Sequence, residues 1–155
     1  MDFDVTSISA VVAPAGVLVA VIYYVLDIRN QTKTIKTDLL VRSFSVTLDN
    51  DWLESFDLIN KSKTADLLKM REEQRMAEIN PVVAFYEEVG TLLQMKLIDI
   101  DSVERLLHGN AVRTWEKMKL LAEHTRRLRD DPRALEGFEY LYNEMNKKEQ
   151  KLTTS

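Results

Sequence analysis

From Ile8 to Leu26 the chain is one run of apolar and small residues, broken only by Ser9. At ~1.5 Å of rise per residue such a run spans roughly 29 Å as a helix, close to the hydrocarbon thickness of a bilayer. Ten of its residues are Ile, Val or Leu, each favouring insertion by roughly 0.3 to 0.6 kcal/mol at a helix centre. Pro14 and Gly16 oppose this, but they sit in the outer half, where the carbonyl freed by Pro14 lies near the helix start. Tyr23 and Tyr24 fall where the run ends, as suits amphipathic rings at a headgroup boundary. The pattern predicts a single N-terminal transmembrane helix.

Past Leu26 the pattern becomes periodic. Val21, Val25, Ile28, Thr32, Ile35, Leu39, Arg42 and Val46 alternate in steps of four and three, a seam of coiled-coil type weakened by Thr32 and Arg42. The membrane helix is therefore expected to continue into a stalk over residues 29–48; an amphipathic helix folding back on its own domain fits the same pattern. Asp49-Asn50-Asp51 supplies capping side chains for a short helix with Trp52, Phe56 and Ile59 on one face. Residues 60–66 read as a connector, and a more polar helix follows to about Ala77. Asn80-Pro81 reads as an N-cap with Pro at the first helical position. The helix it opens carries Val82, Phe85, Val89, Leu92 and Leu93 as a stripe. A short helix over 101–107 ends near Gly109, and a longer one covers 110–129, with Trp115, Met118, Leu121 and Ala122 apolar. Asp131-Pro132 repeats the cap-and-proline signal before a last helix presenting Leu135, Phe138, Leu141, Tyr142 and Met145. No stretch reads as a convincing strand. The expected fold is all-α: an anchor over 1–28, a juxtamembrane helical stalk over 29–48, a bundle of short helices over 49–150 and a polar tail over 151–155.

Composition agrees with this. Four Gly and three Pro in 155 residues are few, and the absence of Cys rules out a disulfide framework, a thiolate metal site and a thiol nucleophile. The formal charge of −4 is unevenly spread: −3 over residues 1–28, +3 over 29–48, −7 over 49–104 and +3 over 105–155. Asp2 and Asp4 precede the apolar run, while Arg29, Lys33, Lys36 and Arg42 follow it. The positive-inside bias then places the N-terminus outside and residues 27–155 in the cytoplasm of a cell membrane. A cleaved signal peptide would begin with a basic region and end in a small-x-small site; here the start is acidic and the run continues into Tyr-Tyr-Val-Leu-Asp-Ile-Arg. Arg29, Lys33 and Lys36 are the candidates for contact with anionic headgroups. Ser9, Ala13, Gly16 and Ala20 share one helix face, and small residues on a membrane helix permit close packing against a second one. The charge balance argues against a dedicated nucleic-acid binder.

No motif calls for a cofactor or a metal. Glu87 and Glu88 are adjacent, so on a helix they point about 100° apart and do not make a paired carboxylate site. An unrecognised site around Glu87, Glu88 and Trp115 is the enzymatic alternative. Asp99 and Asp101 in IDIDS resemble a fragment of a calcium loop but lack its Gly at position six and Glu at position twelve. Asp101 reads better as an N-cap, with Glu104 completing a capping box. His108 and His124 have no carboxylate at a metalloprotease spacing. Arg126, Arg127 and Arg129 suit a helix C-terminus.

The order of YYVLDIRNQT, TDLLVRSFS, DWLESFDLI, the block NPVVAFYEEVGTLLQMKLIDIDSVERLLHGNAVRTWEKM and FEYLYNEM resembles the small membrane-anchored proteins grouped as domain of unknown function 4760. The resemblance covers nearly the whole chain. It implies an architecture and a set of typical positions, Phe85, Glu88, Gly90, Leu97, Ile98, Trp115 and Tyr140, and no activity. Gly90 in mid-helix costs about 1 kcal/mol relative to Ala, so another helix is expected to approach closely there. The function expected is non-enzymatic: a scaffold or regulatory module at the membrane. Its partners are the lipid bilayer and either a second copy, through the anchor or stalk, or another membrane protein, as in an accessory subunit.

Overall fold

The computed structural model describes the backbone of residues 5–107 and 109–153, and the side chains of residues 20–107, 109–148 and 150. Among these residues every regular element is helical: α1 (Val5–Ser45), a 3-10 turn (Val46–Leu48), α2 (Asn50–Lys61), α3 (Thr64–Glu72), a second 3-10 turn (Met76–Glu78), α4 (Asn80–Gln94), α5 (Ile100–Leu107), α6 (Asn110–Arg129) and α7 (Glu136–Thr153). The all-α class is thus the one that the periodicity and the scarcity of Gly and Pro predict.

The chain divides into two compact units, residues 1–38 and 39–155. In the first, the side chains from Val21 to Leu26 are all exposed, between 43% and 74%. The polar stretch that follows is satisfied on its own helix: Gln31 donates to Asp27, and the hydroxyls of Thr32, Thr34 and Thr37 donate to the carbonyls of Ile28, Asn30 and Lys33. This back-bonding is the usual way a threonine in a helix settles its hydroxyl. Among the described residues no helix is long and apolar enough to cross a membrane. Most of the Ile8–Leu26 run, residues 8–19, lies outside the described side chains, and so do Ser9, Ala13 and Gly16; Ala20 is exposed.

In the second unit α4 packs chiefly on α7, α6 lies against α7 and α3, α2 against α4 and α6, and α5 against α7. Of the stripe read on α4, Val82, Phe85, Val89 and Leu93 are buried and Leu92 is half-buried; Val83 and Tyr86 join the buried set. Trp52, Trp115, Met118, Leu121, Phe138, Leu141 and Met145 also lie in the core. The last turns of α1 belong to this unit, with Ser43 buried and Leu39, Leu40 and Phe44 packed against the core. The 4-3 seam therefore divides: Val21, Val25, Ile28 and Ile35 are exposed, whereas Leu39 is covered by its own domain.

Gly90 is where α4 meets α7. A Cβ there would lie 1.8 Å from the carbonyl oxygen of Gly137, and a Cβ on Gly137 would lie 2.5 Å from the carbonyl oxygen of Glu87. Two glycines facing each other let two backbones touch. This is the close approach expected from the misplaced glycine, and its partner is a second glycine.

Several boundaries differ from the sequence reading. The polar helix stops at Glu72 rather than Ala77, because Gln74 takes a left-handed conformation at φ 59°. Asn80 is itself the first residue of α4, preceded by Ile79 as N-cap, so Pro81 stands one position further in, where its missing N–H is still harmless. Asp49 precedes α2 with extended backbone but makes no side-chain cap bond. Asp99, not Asp101, caps α5: its carboxylate accepts the backbone N–H of Ser102 at 2.9 Å and the Ser102 hydroxyl at 2.9 Å. Asp131-Pro132 makes a turn rather than a helix start, with Asp131 accepting the N–H of Arg133 at 3.0 Å and α7 beginning at Glu136.

Replacing Gly90 by Ala forces α4 and α7 apart, and the loss is expected to reach about 3 kcal/mol, the upper part of the usual overpacking range. Ala84→Gly, at an exposed site of the same helix, should cost only about 1 kcal/mol. Urea unfolding of both variants measures the difference; equal losses would contradict the close crossing.

Candidate functional site

The side chains singled out as candidate chemistry gather around α4, and each is engaged separately. Glu87 is half-buried, and its two carboxylate oxygens accept the backbone N–H groups of Gly137 at 3.1 Å and Phe138 at 2.9 Å. Those are amides of the first turn of α7, which have no partner within their own helix. A carboxylate from α4 thus caps α7 and sits at the positive end of its dipole. Glu88 points elsewhere and accepts the hydroxyl of buried Ser43 at 2.9 Å. The 100° divergence of neighbouring helical residues lets one turn of α4 hold α7 with one carboxylate and α1 with the other. Trp115 is 3% exposed, its ring 5.0 Å from that of Phe138 and 6.0 Å from that of Tyr142. Glu87 and Trp115 therefore both meet Phe138, one at its amide and one at its ring, in packing and capping roles.

Around this turn lies an open groove of about 420 Å³ lined by Glu87, Thr91, Gln94, Asp131, Arg133, Glu136 and Gly137. A second groove of about 510 Å³ lies between α2 and the start of α4, with Asp51, Glu54, Asp57 and Glu78 around Leu58, Ala77 and Pro81. Among the described residues no group of three or more His, Cys, Asp or Glu is placed to hold a metal ion.

The remaining candidates serve cohesion between helices. Asp101 and Glu104 both pair with Lys148 of α7, at 2.7 and 3.0 Å, which takes Asp101 away from the capping role read for it. Arg126 donates to the carbonyl of Ala134 at 2.9 Å and pairs with Glu139 at 2.7 Å, tying the end of α6 to α7. Arg127 and Arg129 are exposed, His124 is half-buried on α6, and His108 lies outside the described residues. Arg29 and Lys33 are exposed and Lys36 half-buried; their spacing puts all three on one face of α1.

Three partners carried no signal of their own in the sequence. Ser43 is one polar residue in a polar stretch. Gly137 lies at a helix start, where glycine is unremarkable. Lys117 sends its ammonium into the C-terminal end of α2, donating to the carbonyls of Ile59, Asn60 and Ser62, a favourable place for a cation.

Tyr86 is buried beside these groups, stacked on Phe138 at 4.6 Å. Burial pushes its hydroxyl up to about 12, against the opposing pull of Thr114 and Arg113. A phenol whose folded value lies above its unfolded value of about 10 stabilises the fold below pH 10 and loses that contribution as pH rises through 12. Tyr86→Phe is therefore expected to flatten the loss of stability between pH 10 and 12, a difference on the order of 2 kcal/mol. Denaturation of parent and variant at pH 9 and pH 12 checks it; the same alkaline loss in both would contradict it.

An interhelical carboxylate cap, a glycine crossing and an aromatic core define, among the described residues, a small all-α bundle with a long N-terminal helix. The chain belongs to the family described as Domain of unknown function (DUF4760), whose model matches residues 10–145. No curated protein and no solved structure matches. The positions that the resemblance implied fall at several places in the bundle. Phe85, Ile98 and Trp115 are in the core, Glu88 holds Ser43, Gly90 is the crossing point, Tyr140 packs against the core, and Leu97 is 37% exposed.

Proposed function

We propose that this protein is a non-enzymatic scaffold or regulatory module, held at a membrane by one N-terminal span, with the N-terminus outside and residues 27–155 in the cytoplasm. The observation that carries this reading is α1: its six consecutive apolar residues from Val21 to Leu26 are all exposed, at the end of a run whose length suits a bilayer. Apolar surface of that extent on one helix calls for a lipid or protein cover. Arg29, Lys33 and Lys36 follow within roughly 15 Å of helix, where each basic side chain near an anionic surface contributes about 1 kcal/mol.

The action proposed is positional. Confinement to a plane raises the effective concentration of the domain for its neighbours, and the face of Ser9, Ala13, Gly16 and Ala20 offers a packing surface to a second copy. The engagement of Glu87, Glu88 and Trp115 in capping and packing supports a non-enzymatic role. A second reading, an accessory subunit of a larger membrane complex, is favoured by the exposed Val41, Leu48 and Leu53 around the junction of α1 and α2, at 63%, 80% and 49%.

Two measurements test this. The protein should stay with the membrane pellet through an alkaline carbonate wash; release into the supernatant would overturn the anchor. In native membranes, chemical cross-linking should join the chain to itself, and replacing Gly16 and Ala20 together by Leu should reduce that product severalfold. Recovery of a distinct protein instead would favour the accessory subunit, and unchanged cross-linking in the double variant would remove the small-residue face.

A further inference from the structure

Two routes join the last turns of α1 to the first turn of α7, and both pass through one turn of α4. The first is polar. The buried Ser43 hydroxyl donates to Glu88 at 2.9 Å, and the preceding residue, Glu87, accepts the N–H groups of Gly137 and Phe138. The second is aromatic. Phe44 meets Phe85 edge-on at 5.3 Å, Phe85 lies 5.1 Å from Tyr86, and Tyr86 stacks on Phe138 at 4.6 Å. Adjacent residues on α1 thus reach adjacent residues on α7 through four consecutive residues of α4.

We propose that these routes couple the seat of α1 to the cap of α7, so that loosening the last turn of α1 opens the start of α7. The proposal stands within residues 39–155 and holds whether or not residues 8–26 cross a membrane.

The physical reason is the lack of slack. Close-packed rings cannot shift one at a time without leaving a void. When α1 lifts, Phe85 loses its edge partner and Glu88 its hydroxyl donor. Phe85, Tyr86, Glu87 and Glu88 share one turn of backbone, so a displacement at either end carries the others. At the crossing itself there is no room even for a Cβ between Gly90 and the Gly137 carbonyl. The first amides of α7 are held by a carboxylate of α4 and therefore follow its register. A pull on α1, or a partner seated on its last turns, is then read out at the first turn of α7.

Amide hydrogen exchange on the full-length protein tests the coupling. Ser43→Ala removes one hydroxyl and no packing, and Phe44→Leu removes the first aromatic rung. In each, the Gly137 and Phe138 amides should exchange at least about fivefold faster, a factor typical of a coupling between sites. The Ser62 amide, bonded to the Leu58 carbonyl at the far end of α2, should keep its rate. Coupling is reciprocal in equilibrium terms, so Glu87→Ala should also speed exchange over residues 39–45. Unchanged rates at Gly137 and Phe138 in both α1 variants would overturn the proposal. So would a uniform acceleration that includes Ser62, or no response of residues 39–45 to Glu87→Ala.

Discussion

The contact between Gly90 and Gly137 sets the terms for the rest of the fold. Two helix backbones touch there, and almost everything around the crossing follows from that closeness. It brings the first turn of α7 within reach of Glu87, whose carboxylate then satisfies amides that would otherwise face a groove unpaired. It places Phe138 against Tyr86 and Trp115, and so seeds the aromatic core. A glycine in mid-helix costs about 1 kcal/mol of propensity; the buried rings that the crossing permits more than offset it, since each large side chain contributes about 1.5 to 3 kcal/mol on burial.

The sequence revealed the components better than their pairings. The stripe of α4, the span of α6 and the close approach at Gly90 follow from local rules: periodicity, capping and propensity. Partners that are distant in sequence were hidden. IDIDS contains two aspartates able to cap α5; the helix starts at Ile100, so Asp99 caps it while Asp101, already inside the helix, pairs with Lys148 of the last helix. Asp131-Pro132 has the composition of a helix start but becomes a turn: Leu135 takes a left-handed conformation at φ 59°, and α7 begins after it, at Glu136. Glu87 and Glu88 diverge as adjacent helical residues must; that each holds a different helix is a fact of topology. The seam on α1 continues in sequence through Leu39, yet the domain packs on Leu39 itself and leaves the next seam positions, Arg42 and Val46, exposed; periodicity cannot tell a partner helix from the chain's own core.

On the membrane-anchor reading, α1 has two duties along its length. The exposed residues from Val21 to Leu26 offer apolar surface to lipid or to a second copy, and its last turns pack on the bundle through Leu39, Leu40, Ser43 and Phe44. Between them lies a stretch whose threonines and glutamine bond to their own helix, which keeps that stretch helical without a neighbour. The chain has no cysteine, so a single introduced thiol is a unique chemical handle. The most direct measurement is labelling of Asp4→Cys and Thr153→Cys variants in intact cells with a membrane-impermeant maleimide. Labelling of position 4 from outside, with position 153 reacting only after lysis, is the result expected of a single span with the bundle in the cytoplasm. Reaction at both positions only after lysis, with the protein recovered away from the membrane, would contradict it.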